Sequence, residues 1–325
     1  MKMKQNQSQL KIGSLSIIVA LIILSCVNGK KSMESTVSEN MTFHESLLTL
    51  DTHVDTPLPL KRKDLDLGMH NDPQVSGTKL DFPRMKAGGL DAAFFSVWTP
   101  QGARTDSGHA AIKQEALDII DIIEASIAKY PSMAELALNS GDAQRLSDID
   151  KYAIYLGMEN GYPLGTELEN LDLFYQRGIR YITLCHTSNN EICDSSNDTM
   201  EFGGLSPYGY EVVKRMNELG IMVDVSHISN DAVKHVLEIS KAPVIASHSC
   251  ANALYDHPRN INDSLLIKIA KNGGVVQVNF FSEYIKAPQS NPKLDSALAK
   301  LNLKWGDTSN LSNDQIGEFH KERGE

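Results

Sequence analysis

The sequence predicts an α/β protein: a (β/α)8 barrel of the TIM type in which seven of the eight strands are present. Three observations carry this reading. Short runs rich in Val, Ile, Leu and aromatics recur without polar alternation, as strands buried on both faces do. Segments with apolar residues at helical spacing separate them, so strand and helix alternate. Residues able to do chemistry follow at least five of the runs, and a barrel gathers such residues at its C-terminal rim. An open doubly wound sheet is the rival architecture. No internal repeat or strong linker divides the chain.

The first element is not part of the fold. Lys2, Lys4 and Lys11 precede or flank an apolar run from Leu15 to Leu24. A bilayer span takes about 20 residues, so a basic start and a short apolar run read as a secretory signal. The run closes on Ile23-Leu24-Ser25-Cys26, which resembles a bacterial lipobox whose cysteine is lipidated. The expected division is a lipoprotein-type signal peptide over 1–25, a polar tether over 26–42 and the barrel domain over 43–325. It implies an exported cell-envelope lipoprotein, periplasmic or at the outer membrane, attached through Cys26. A plain signal peptide is the alternative.

The seven strand candidates are Leu47–Asp51, Ala92–Trp98, Ala153–Met158, Tyr181–Cys185, Met222–Ser226, Val244–Ser247 and Val275–Phe280. Over Ala110–Lys129, apolar residues at 112, 116, 119, 120 and 123 share one helical face. Ser206-Pro207 opens a helix that Gly220 stops. Ser229-Asn230-Asp231 and Asn262-Asp263 cap two more. Asn291–Trp305 has a polar helical pattern, and no β-type run follows it.

With 325 residues, 41% of them hydrophobic, the chain can fill one large core. A net charge of −10 and the absence of a basic run exclude nucleic acid as a partner. No CxxC spacing exists, which argues against a thiolate zinc site. Beyond Cys26, the thiols of Cys185, Cys193 and Cys250 permit at most one internal disulfide.

The chemistry sits at the run ends. In Asp51-Thr52-His53-Val54-Asp55, His53 and Asp55 lie two apart and face one side of a strand, so both can reach one cation. Glu159 follows the run that ends at Met158, where a carboxylate is costly to bury unless paired or bound to metal. His227 and His248 each close a β-type run with the same Ser-His ending, and neutral imidazoles with carboxylates suit zinc. His186 ends a further run. Arg259, in the loop after His248, can clamp a carboxylate through two parallel hydrogen bonds, although a surface guanidinium is the commoner role. His44, His70, His109, His235, His257 and His320 lack this context and read as surface or loop residues.

These residues lie in stretches that resemble the membrane dipeptidase (renal dipeptidase-like) family of zinc peptidases. The matching stretches are residues 51–55, Asp81-Phe82-Pro83-Arg84-Met85-Lys86-Ala87-Gly88-Gly89, Gly157-Met158-Glu159-Asn160, residues 180–186, Asp224-Val225-Ser226-His227, residues 243–249 and Arg259-Asn260-Ile261. They occur in the family's order, roughly from residue 45 to 280. The resemblance implies two zinc ions, one on His53 and Asp55 and one on His227 and His248, with Glu159 bridging and catalytic. A hydroxide shared by the metals would attack a dipeptide carbonyl. His186 would contact the substrate there as a second catalytic group, and Arg259 would hold its terminal carboxylate. Family members accept dipeptides, some with a D-residue at the C-terminal side. A homodimer is also expected.

The family pattern continues to a last strand bearing an aspartate in a Gly-x-Asp-Phe-Asp-Gly-like motif, thought to handle protons. This sequence lacks that motif, and its expected domain is a C-terminally truncated barrel. Two alternatives follow: a lipoprotein that binds metal or peptide with little or no turnover, and an amidohydrolase acting on acylated amino acids.

Overall fold

The computed structural model describes residues 43–306 other than 45, 62–64 and 288, together with 315, 318, 319, 322 and 323. The chain divides into a segment up to Leu48 and a compact unit from Thr49 onward. The signal segment, Cys26 and the tether lie outside the described residues. Among the described residues no helix is long and apolar enough to cross a membrane.

Among the described residues eight strands form: β1 Leu50–Val54, β2 Ala92–Trp98, β3 Ala134–Leu136, β4 Tyr152–Glu159, β5 Ile179–Thr183, β6 Met222–Asp224, β7 Ile245–Ser249 and β8 Val275–Val278. They pair in the order β1-β2-β4-β5-β6-β7-β8, with β3 beside β4 and every pairing parallel. The path is a nearly closed barrel of seven strands, as expected from the alternating pattern. β1 starts at Leu50 rather than Leu47, so His53 lies inside the strand. β3 was not foreseen. It pairs with Tyr152–Ile154, while β5 pairs with Leu156–Glu159, so the two share β4 in succession.

The strands sort their residues by the two-residue period of extended chain. Ile154, Leu156 and Met158 of β4 join Ala93, Phe95 and Val97 of β2 in the main core with the helices. Ala153 and Tyr155 face the other way and meet Ala92, Phe94, Tyr181 and Ile245 in a second, interior cluster. There Phe94 stacks on Tyr155 with ring centroids 4.8 Å apart and lies 5.1 Å from Tyr181. These aromatics plug the barrel. The same inner face continues along β4 to Gly157 and Glu159, so the plug ends where the polar mouth begins.

The foreseen helices form, with their caps. Helix Asp106–Ala128 buries Ile112, Ala116, Ile119, Ile120 and Ile123. It starts earlier than its apolar stripe because Thr105 Oγ1 accepts from the Gly108 N–H. Ser206, Ser229 and Asn262 cap Pro207–Leu219, Asn230–Ile239 and Asp263–Asn272 in the same way.

β1 and β8 end the path and do not pair with each other. Leu50 on β1 and Val275 and Val278 on β8 are exposed, whereas β2 is buried almost throughout. A side chain ties β1 to the strand next to β8: Thr52 Oγ1 donates to the Ser247 carbonyl on β7 at 2.8 Å.

Candidate metal centre

The rim residues converge on one carboxylate. Glu159, the last residue of β4, is buried, and Ser96 Oγ of β2 donates to its Oε2 at 3.1 Å. His53 Nε2 lies 3.4 Å from Glu159 Oε2, while the Nε2 atoms of His186, His227 and His248 lie 3.5, 3.2 and 3.5 Å from Oε1. His227 Nε2 and His248 Nε2 are 2.9 Å apart. Among the described residues two sets of three ligating groups result: His53, Glu159 and His248, and Glu159, His186 and His227.

Different elements supply these groups. His53 is in β1 and His248 in β7. His186 follows β5, with Trp98 of β2 edge-on at 5.8 Å. His227 follows β6 with a positive φ of 69°, a left-handed conformation that turns its ring into the mouth. The Ser196 N–H donates to the His227 carbonyl at 2.8 Å and holds that turn. Asp55 lies just past β1, with Oδ1 3.4 Å from His53 Nε2 and a side chain 61% exposed. It is near His53 but belongs to neither three-residue set.

Burial and charge set the protonation. Burial pushes His227 well below the ordinary imidazole value, and the Arg259 charge adds to this. Burial likewise lowers His248, helped by His53. Burial lowers His186 against the pull of Glu159. For His53, burial is outweighed by Tyr181, Glu159 and a hydrogen bond with Asp55, which together raise it well above its usual value. Burial works to raise Glu159, but His53 and hydrogen bonds with His227 and His248 hold it well below the carboxylate range.

This donor set fits divalent metal. Four imidazole nitrogens and a carboxylate crowd within hydrogen-bond range, and two imidazole nitrogens face each other where no more than one proton fits between them. Neutral imidazole with carboxylate is a zinc donor set. The cavity above has a volume of about 730 Å³ and is walled by Trp98, Phe281 and Tyr284 besides the rim residues.

Arg259 is buried, contrary to the commoner surface role. Its Nη2 donates to the His248 carbonyl at 3.2 Å, and its guanidinium lies 5.3 Å from the Tyr284 ring centroid. Its Nε and Nη1 are buried without hydrogen-bond partners among the described residues. Burial lowers its pKa. It does not line the cavity; Tyr284 and His248, which it touches, do.

Sequence reasoning missed the supporting groups. Tyr181 Oη is 2.9 Å from His53 Nδ1. Ser247 Oγ is 2.8 Å from His248 Nδ1 and donates to the buried Asp224. A buried acid or hydroxyl on the inner face of a strand, beside a ligand candidate, was the available signal. Two histidines read as surface or loop are instead half-buried helical residues. His109 Nε2 lies 3.0 Å from Glu191, and His235 Nδ1 accepts from the Leu205 N–H. Cys185, Cys193 and Cys250 are buried free thiols.

Comparison with known proteins points to one family. A family model described as membrane dipeptidase, peptidase family M19, matches residues 38–312. An uncharacterized dipeptidase of Schizosaccharomyces pombe is 34% identical over 254 residues, covering 74% of this chain and 61% of that protein. The chain spans about half to three-fifths of the length of the curated relatives it matches. Among solved structures, the probable dipeptidase PvdM from Pseudomonas aeruginosa superposes with a TM-score of 0.72 at 28% identity, over 90% of this chain and 78% of that one. A metallopeptidase from Rhodobacter sphaeroides, liganded with a phosphinate mimic of the dipeptide L-Ala-D-Ala, shares the fold with a TM-score of 0.64 at 21% identity, over 79% of this chain and 82% of that one. A family match over most of the sequence, on a barrel whose rim gathers the motif residues, leads to one conclusion: the chain belongs to the membrane dipeptidase family, peptidase family M19.

Proposed function

We propose that the chain hydrolyses dipeptides with two zinc ions at this centre. The convergence of four imidazoles on the buried Glu159 carboxylate, beside a cavity in the size range of small-molecule sites, carries the reading. His53 and Asp55 would hold one ion, His227 and His248 the other, and Glu159 both, each oxygen of its carboxylate already facing a different side of the cluster. Bound zinc supplies an activated water and polarises the scissile carbonyl.

The chain's own groups do the rest. Glu159, kept ionised by the imidazoles around it, stays a ligand rather than a proton donor. His186 is neutral through burial and can donate a hydrogen bond to the carbonyl oxygen as charge develops on it. Arg259 keeps Nε and Nη1 unpaired among the described residues, charged N–H donors that a substrate carboxylate would take up. Tyr284, whose ring faces the guanidinium, lines the cavity that Arg259 does not, so a substrate carboxylate would have to pass that ring to reach it. A carboxylate fixed there restricts substrates to short peptides with a free C-terminus. Lipidation at Cys26 would hold the enzyme to the cell envelope, and incorporation of a labelled fatty acid in wild type but not in Cys26→Ala tests this.

The deciding experiment is zinc analysis of the purified protein with assays on L-Ala-L-Ala, L-Ala-D-Ala and N-acetyl amino acids. Bound zinc with dipeptide turnover that chelation abolishes and zinc restores is the expected result. Zinc without turnover leaves a binding protein, and turnover of acylated amino acids alone moves the substrate class. Absence of bound zinc overturns the reading.

A further inference from the structure

Asp224, at the end of β6, is fully buried and takes no part in the proposed chemistry. Its Oδ1 accepts from the backbone N–H groups of Ser226 at 3.0 Å and Ser247 at 2.9 Å. Its Oδ2 accepts from Thr183 Oγ1 and Ser247 Oγ, each at 2.6 Å. These donors fill the acceptor sites of a carboxylate, which has nothing to donate.

The Ser247 hydroxyl carries one proton, and Asp224 takes it. The 2.8 Å contact between Ser247 Oγ and His248 Nδ1 must therefore be one in which the imidazole donates. A neutral ring protonated at Nδ1 keeps its lone pair on Nε2. That atom points at the centre, 3.5 Å from Glu159 Oε1 and 2.9 Å from His227 Nε2. His53 has no such fixed sense, because the Tyr181 phenol beside it can donate or accept.

We infer that Asp224 is a positioning residue for the metal centre, acting on His248 through the Ser247 hydroxyl to hold the ring as its Nδ1–H tautomer. A partner that fixes the ring and tautomer of a ligating histidine matters at about the 10–100-fold level in metal affinity. This consequence for affinity rests on His248 being a ligand; the tautomer does not.

The Asp224→Asn variant is nearly isosteric and gives the sharpest test. Its amide can still accept the two backbone N–H groups, but it must donate toward Ser247. The serine proton is then free to turn to His248 Nδ1, which drives the ring to the Nε2–H form. Imidazole ¹⁵N spectra of the metal-free, full-length protein at alkaline pH read the tautomer directly, and chelator competition reads zinc affinity. The expected results are Nδ1–H at His248 in the wild type, Nε2–H in Asp224→Asn, and zinc affinity lowered about 10–100-fold in that variant and in Ser247→Ala. Ser247→Thr, which keeps the hydroxyl, restores both readouts. A wild-type ring protonated at Nε2 overturns the inference even if no variant folds. So does wild-type tautomer and affinity in folded Asp224→Asn and Ser247→Ala. If the wild type binds no zinc at all, the dipeptidase reading fails, while the tautomer result stands by itself.

Discussion

Gly157 and Tyr181 interlock: the Tyr181 ring occupies the space where a Cβ on residue 157 would lie. The two face each other on β4 and β5, which pair at that register. The missing side chain lets the phenol cross the barrel interior and bring its hydroxyl to His53 Nδ1. The Gly157→Ala variant is expected to push the ring out of place. Overpacking of this kind costs about 1–3 kcal/mol, read as a lower urea midpoint. Zinc affinity should fall with it, because His53 loses its partner. Tyr181→Phe, which keeps the ring, should lose affinity with a smaller loss of stability.

Metal should stabilise the fold through Glu159. A ligand at a hundred times its dissociation constant adds about 2.7 kcal/mol. Adding zinc to chelated protein is therefore expected to raise Tm by several degrees. Glu159→Gln should lose most of that rise, since every imidazole of the cluster lies against this carboxylate. An undiminished rise in Glu159→Gln would mean that zinc binds elsewhere.

Arg259→Met should impair dipeptide hydrolysis mainly through KM. A hydrogen bond to a charged group is worth about 1.5–3 kcal/mol, or roughly 10–150-fold in kcat/KM. The loss should shrink for a dipeptide amide, which lacks the carboxylate. Equal loss on both substrates would indicate that Arg259 supports the loop instead.

Away from the centre, Asp142 carries a pH-dependent share of stability. Backbone hydrogen bonds from Leu138, opposed by desolvation and aided by Arg145 and Asn139, lower its pKa below the usual carboxylate value. A depressed native value stabilises the fold above the unfolded value of about 3.9, and the benefit is lost as pH falls through the native one. Asp142→Ala should cost about 1–2 kcal/mol at neutral pH. Denaturation curves of variant and wild type should approach each other as pH drops below about 4.

The strand–helix alternation and the caps were legible in the sequence, because Ser206, Ser229 and Asn262 act within one helical turn of themselves. The ligand candidates were legible because each follows an apolar run. β3 was not: with Ala134–Leu136 it is too short to show a period, and it owes its place to the free half of one β4 edge. The supporting groups were hidden for a similar reason. Tyr181 resembles any strand aromatic until its partner glycine is seen across the sheet. Asp224 and Ser247 are joined by a bond between β6 and β7 that local sequence does not encode. The burial of Arg259 depends on Tyr284, from a turn after β8.

The left-handed backbone at His227 sets what can replace it. Most L-residues resist that conformation, so an ordinary substitution confounds a missing side chain with a bent loop. Glycine adopts it freely, so His227→Gly should keep the turn and leave a hole shaped like an imidazole. Small heterocycles added from solution could then fill the vacancy. Activity that returns with millimolar imidazole, and with a profile set by the added base, would turn this backbone quirk into a handle for chemical rescue.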